Sequence, residues 1–187
     1  MRHRLALGLI AAVPLLAACA APAADAPPPA RAAAPVATHP SAAPASCPIT
    51  RPPDPPFVPP APYPPAPRSV HHDKVWYGTN ELWTWLDADG TWEMARDEHG
   101  LFDKSFWWRQ GYDWRTETTP RLRVTGRRLD APAPAVTTSD ATNGFEQDMG
   151  AFMLVGLELP AGGCWELTGR YHGTSLRLVV WVLRWRP

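Results

Sequence analysis

Three groups of residues have the types and spacing that could carry chemistry. The first is a set of carboxylates, Asp103, Asp113 and Glu117, beside Trp107 and Trp108. Glycoside hydrolysis needs such a set: one carboxyl as acid, one as base or nucleophile, and flat rings to hold the sugar. Salt bridges to Arg109, Arg115 or Arg121 account for the same three residues. The second group is His71-His72-Asp73, with His99 and His172 elsewhere. Imidazole and carboxylate suit zinc, but a tetrahedral site needs further ligands to converge, and neighbours on a strand point to opposite faces. Solvated linker residues explain this group as well, so no metal ligand and no cofactor is assigned. The third group is Trp107, Trp108, Tyr112 and Trp114. Rings with polar neighbours stack on sugars or clamp peptides, and rings also fill cores. Successive Trp107 and Trp108 face opposite sides of a strand, so one can be core while the other is exposed. Tyr112 and Trp114 alternate with Gly111, Asp113 and Arg115 in a stretch that reads as solvent-facing.

Several other chemistries lack their residues. The sequence has no phosphate-cradling glycine loop, no Cys-x-x-Cys, no His-Glu-x-x-His and no nucleophile elbow. From Ser69 onward, 13 Lys and Arg stand against 16 Asp and Glu. That balance leaves no basic surplus to displace counter-ions from a nucleic-acid backbone, so nucleic acid is excluded as a partner.

The elements that would position these residues are unevenly distributed. All ten Trp lie between Trp76 and Trp185, and 18 of the 24 Pro lie between Pro22 and Pro67. Aromatic residues bring large buried area, so the core is assigned to the second half. A Pro/Ala segment buries too little apolar surface to offset its ordering entropy. Residues 20–68 therefore read as a disordered, semi-rigid spacer of extended polyproline type, rising about 3.1 Å per residue. Phe57 and Tyr63 interrupt the tract and are placed to pin its last turns onto the folded domain.

At the N-terminus, Arg2 and Arg4 precede an apolar run from Leu5 to Ala18. That run has the length of a signal h-region and is short for a bilayer span. It ends in Leu16-Ala17-Ala18-Cys19, which resembles the lipobox of bacterial lipoproteins. The resemblance implies a signal peptide over residues 1–18, cleavage before Cys19, diacylglycerol on its thiol and often a third acyl chain on the new amine. Two or more chains hold a protein stably to a membrane. By likeness to sorting signals, Ala20 favours the outer membrane where the host has two.

Export places Cys47 and Cys164 in an oxidising compartment. With Cys19 lipidated, an even pair remains, and one disulfide is the simplest arrangement. Two separate thiols, one in the tail and one buried, are the alternative.

From about Ser69, short apolar runs alternate with turn signals and helical periodicity is nearly absent. Strands are predicted at Val75–Tyr77, Leu82–Leu86, Thr91–Met94, Ser105–Arg109, Leu122–Gly126, Ala135–Thr138, Phe152–Leu159, Cys164–Tyr171 and Ser175–Leu183. Asp87-Ala88-Asp89-Gly90 and His172-Gly173-Thr174 read as hairpin loops. Trp165, Leu167, Gly169 and Tyr171 share one face. Leu176, Leu178, Val180 and Val182 share one face of the last strand, and Val179, Trp181 and Leu183 the other. Apolar on both faces, that strand is expected to be central. The fold class is all-β: an antiparallel two-sheet sandwich over residues 69–187.

The stretch Gly163-Cys164-Trp165-Glu166-Leu167-Thr168-Gly169-Arg170, with Leu176 to Val182, resembles the ending of a family of uncharacterised bacterial lipoproteins. Trp76-Tyr77-Gly78, Leu82-Trp83 and Phe152 to Gly156 fit the same likeness. It implies location and fold, with no activity to carry over. The final hairpin also resembles the closing strands of immunoglobulin-like domains, although Cys47 lies in the Pro-rich tract rather than in a strand.

Two functions are therefore open. One is a lipid-tethered, non-enzymatic module that binds an envelope glycan or protein. The other is an envelope glycan hydrolase, which requires two of Asp103, Asp113 and Glu117 in one cleft about 5–10 Å apart.

Overall fold

A computed structural model of the chain describes residues 42–63 and 73–185. Cys19, His71 and His72 lie outside the described residues. Among the described residues there is no helix, and ten strands run in order: β1 (Lys74–Thr79), β2 (Leu82–Asp87), β3 (Thr91–Arg96), β4 (Leu101–Trp108), β5 (Arg123–Arg128), β6 (Val136–Thr137), β7 (Thr142–Glu146), β8 (Gly150–Leu159), β9 (Gly163–Tyr171) and β10 (Thr174–Arg184). All nine expected strands are present. The tenth, β7, has no apolar alternation to announce it.

The strands form two sheets that share β3. The first sheet holds β1, β2, β4, β8 and β7, and the second holds β10, β9, β5 and β6. β3 starts in the second sheet, with Thr91–Met94 parallel to Trp181–Arg184. It ends in the first, where Ala95 and Arg96 pair with Phe102 and Leu101. Every other pairing is antiparallel, so the sandwich is mixed rather than wholly antiparallel as expected. β10 lies between β3 and β9, so the doubly apolar strand is central as expected.

The inner faces of the two sheets make the main core. Leu82 and Leu86 of β2, Leu101 and Trp107 of β4, and Met153, Val155 and Leu157 of β8 meet Val124 of β5, Trp165 and Leu167 of β9, and Leu178, Val180 and Val182 of β10. The period of two dictates this sorting, because alternate residues of each strand point to one side. Packing is close enough that a Cβ on Gly169 would lie 2.4 Å from the Trp107 ring.

Each sheet is also apolar on its outer face. On the first, Trp76, Trp83, Trp108 and Phe152 are buried, with Trp85, Phe106 and Leu154 beside them. On the second, Cys164 and Trp181 are buried with Val179, Leu183 and Leu129. Residues 42–63, read from sequence as spacer, supply the covers. Ala43, Cys47 and Ile49 lie on the second sheet, and Phe57 and Tyr63 on the first. Cys47 and Cys164 form a disulfide across 117 residues. It does not join the two sheets but ties β9 to this covering strap. Thr50 fixes the strap again: its N–H donates to Val179 O and its Oγ1 accepts from Val179 N–H, both at 2.8 Å. The tract is not one unbroken extended run, since it bends at Asp54–Pro55 and turns at Ala61–Tyr63.

Candidate functional site

Of the residues in the three sequence groups, Tyr112, Asp113, Trp114 and Glu117 lie in the connection between β4 and β5, with His172 beside Glu117. Gly111 follows the end of β4 with φ at +69° and open space where a Cβ would be, which lets the chain leave the sheet sharply. Asp113 then organises the next turn. Its Oδ1 accepts from Arg115 N–H at 2.9 Å, and its carbonyl accepts from Thr116 and Glu117 N–H at 3.1 and 3.0 Å. Short polar side chains favour such turns because they can bond their own backbone. At the tip stands Trp114, 36 % exposed, with the Arg115 guanidinium 4.7 Å from its ring centre. That distance is within cation–π range.

Behind the tip, Glu117 is tied to the β9–β10 turn. Its Oε2 accepts from the Tyr171 hydroxyl, its Oε1 accepts from Arg121 N–H at 3.0 Å, and His172 Nε2 lies 3.5 Å from Oε1. His172 and Gly173 both have positive φ, at 45° and 87°, as a tight hairpin loop requires. Tyr112 packs edge-on to Tyr171 and donates to Asn143 Oδ1, while Asn143 Nδ2 donates to the carbonyls of Glu117 and Thr118. Arg109 lies 5.7 Å over the Tyr171 ring. The loop is thus cross-bolted to β7 and to the final hairpin.

Burial pushes the Tyr112 hydroxyl up to about 12, helped by the charges of Glu117 and Asp113. Burial and the bond to Glu117 raise Tyr171 as well. Burial alone would raise Glu117, but the Tyr171 hydroxyl, Arg121 N–H and His172 outweigh it and hold the carboxyl below its ordinary 4.5. A depressed carboxyl contributes stability that is present above the ordinary value and lost as pH falls through the folded value. Between pH 6 and pH 3, Glu117→Gln should therefore lose less stability than wild type. Urea midpoints at both pH values check this, and equal losses would refute it.

Of the four aromatic residues expected at a ligand surface, only Trp114 is exposed. Trp107 and Trp108 are 1 % and 0 % exposed, which corrects the assignment of both to that surface. They do face opposite sides of β4, but each side has a cover: β9 over Trp107, and the residue 57–63 segment over the face that carries Trp108. Tyr112 is half-buried and occupied by Asn143 and Tyr171.

Asp103 lies away from the loop, on β4. Its Oδ2 accepts from Trp92 Nε1 at 2.7 Å and its Oδ1 from Lys104 N–H at 2.7 Å. It lines a cleft of roughly 100 Å³ with Lys74, Thr84, Asp87 and Ser105, and neither Asp113 nor Glu117 reaches that cleft. Asp87 is nearly buried there and paired with Lys74 at 2.6 Å. The sequence reading missed this pair, although the two-residue Asn80-Glu81 turn sets the register that puts Lys74 opposite Asp87. His99 is exposed beside Glu98. Among the described residues no three His, Cys, Asp or Glu are placed to hold a metal ion.

No protein-family model, curated protein or solved structure matches this chain. The site must be read from its own geometry. Each carboxylate in it already accepts hydrogen bonds or an ion pair, and Glu117 is held ionised. General acid catalysis near neutral pH wants the reverse, a carboxyl with a raised pKa. What remains available to a ligand is a braced loop with an exposed indole and a guanidinium at its tip.

Proposed function

We propose that this protein is a bacterial envelope lipoprotein of the uncharacterised family it resembles. Lipid on Cys19 holds it to the cell or outer membrane, facing the periplasm or exterior. Its β-sandwich is a non-enzymatic module that binds an envelope glycan or protein through Trp114. The observation that carries the reading is the Trp114–Arg115 pair on a loop fixed by Asp113, Glu117 and Asn143. Bracing lowers the ordering cost of binding, and exposed Trp and Arg are the side chains most often found as binding hot spots. The hydrolase reading needs two of Asp103, Asp113 and Glu117 in one cleft; Asp103 is apart, and the remaining pair, Asp113 and Glu117, is engaged in bracing its own loop, with the Glu117 carboxyl held low where a general acid needs a raised one.

Two variants test the two halves of the reading. Trp114→Ala should leave the melting temperature within a few degrees of wild type. It should weaken retention on immobilised peptidoglycan or on envelope proteins by about 1–3 kcal/mol, as loss of a hot-spot ring does. Unchanged retention, or a large fall in melting temperature, would remove Trp114 from the binding surface. Cys19→Ala should release the protein from the membrane fraction or leave it as unprocessed precursor. A variant that fractionates and matures like wild type would refute the anchor.

A further inference from the structure

The strap covers one end of the outer face of the second sheet, over Cys164 and Trp181, and Thr50 fixes it at Val179. Beyond Val179 the face changes character. Glu166 of β9 lies opposite Val179 of β10 and Arg127 of β5. The next row holds Thr125, Thr168 and Arg177, and the row after it Arg123 and Arg170. Alternation puts all of these on the side that carries Cys164.

Four guanidiniums stand there against two carboxylates. Glu166 serves two of them, Arg127 at 3.1 Å and Arg177 at 3.6 Å, and Asp140 pairs with Arg123. Arg170 is exposed, lies directly opposite Arg123 and has no ion pair among the described residues. Like charges directly opposite on neighbouring strands cost stability, so the fold alone gives no reason for this pairing. An anion from outside the chain would relieve it. The geometry favours an extended anion. Neighbouring strands are about 4.8 Å apart and alternate residues about 6.7 Å apart along each strand. The guanidiniums are thus spread over three strands, and those of Arg123, Arg127 and Arg177 are more than half exposed. One small anion needs donors that converge, whereas a plane of phosphates does not.

The strap joins the fold on this same face, at Ala43 and Cys47. Residues 20–41 link it to Cys19, a length that reaches at most about 75 Å at full extension. A group tethered so closely is held near the membrane at an effective concentration in the millimolar range, where a small net charge is enough for binding.

We propose that the outer face of the second sheet, around Arg170, lies on anionic phospholipid headgroups of the bilayer that holds Cys19. The proposal rests on the lipid anchor proposed above and is independent of Trp114. Each Arg brought to an anionic surface adds attraction that falls off within a Debye length. The first sheet then faces away from the bilayer.

The test takes the full chain as expressed and exported, reconstituted into vesicles of phosphatidylcholine alone or with an equal part of phosphatidylglycerol. Flotation with the neutral vesicles reads the anchor. Phenylglyoxal modification of individual arginines, followed by peptide mass spectrometry, reads the face. At low salt Arg123, Arg170 and Arg177 should react about fivefold more slowly on the anionic vesicles, while exposed Arg96 of the first sheet reacts equally on both. High salt should remove the difference. In Arg170→Gln/Arg177→Gln the protection of Arg123 should be lost, with the melting temperature within a few degrees of wild type. If that variant fails to fold, wild type on the two vesicles decides. Equal rates on both vesicles with intact flotation, or protection that persists in the variant, overturn the proposal and leave the anchor standing. Failure to float overturns both. Equal protection by inorganic phosphate or polygalacturonate added to neutral vesicles also overturns it, by making a free anion or an acidic glycan the ligand.

Discussion

The double variant Cys47→Ala/Cys164→Ala is expected to lose about 4–5 kcal/mol of stability, roughly 10–20 °C in melting temperature. The bond closes a loop of 117 residues, and in the chain-entropy view a long loop removes much freedom from the unfolded state. Its native partners add to the effect. Both sulfurs are buried against Trp181, with Ile49 and Leu183 beside them, and Ile49 approaches Gly90 in the β2–β3 turn. Without the bond, the Thr50–Val179 pair, the Arg51 contact to Asp89 O and local packing remain to hold this part of the strap. Ordering the strap would then have to be offset by contacts alone. Urea denaturation of the variant beside wild type, with slopes compared, measures the loss. A difference below about 1 kcal/mol would show that the unfolded chain gains little freedom when the bond is removed. Cysteines recovered as alkylatable thiols from oxidised, exported protein would refute the bond itself.

The sandwich was legible from sequence because its cause is local. Alternation placed Trp165, Leu167 and Tyr171 on the inner face of β9, and split β10 into Leu178, Val180 and Val182 inward against Val179, Trp181 and Leu183 outward. β7 was not legible, since Thr-Asn-Gly-Phe-Glu is mostly exposed and carries no apolar face. The strap was legible only at its fastenings, Phe57 and Tyr63 on the first sheet and the Cys47–Cys164 bond; that the whole of residues 42–63 would cover both outer faces was missed for a different reason. A proline-rich segment has no intrinsic drive to order, and residues 42–63 gain theirs from outer sheet faces far away in sequence. The same remoteness hid the fate of the carboxylates. Glu117 is fixed by Tyr171, 54 residues away, and Asp103 by Trp92. Spacing along the chain could bring Asp113 and Glu117 into one loop but could not say that both were already engaged.

Trp107→Ala should be among the most damaging single substitutions, at about 3–5 kcal/mol, the range for truncating a buried aromatic. Trp107 is 1 % exposed and lies on the inner face of β4. Its Nε1–H donates to the Oγ of buried Ser105 at 3.0 Å. Its six-membered ring fills the space that Gly169 leaves on β9, where a Cβ would come within 2.4 Å of Cζ3. Size at one position is therefore matched to smallness at the other, and this gives the prediction a sign that burial alone does not. In wild type, Gly169→Ala should overpack the interface and cost about 1–3 kcal/mol. In the Trp107→Ala background the same methyl enters a cavity and should be neutral or stabilising. A double-mutant cycle by urea denaturation would then give a coupling of about 1–3 kcal/mol in favour of the double variant. Simple additivity would mean that β4 and β9 do not face each other at this point, and the inter-sheet packing described above would be wrong. A Trp107→Ala effect as small as that expected for exposed Trp114 would carry the same consequence, because it would place the ring outside the core.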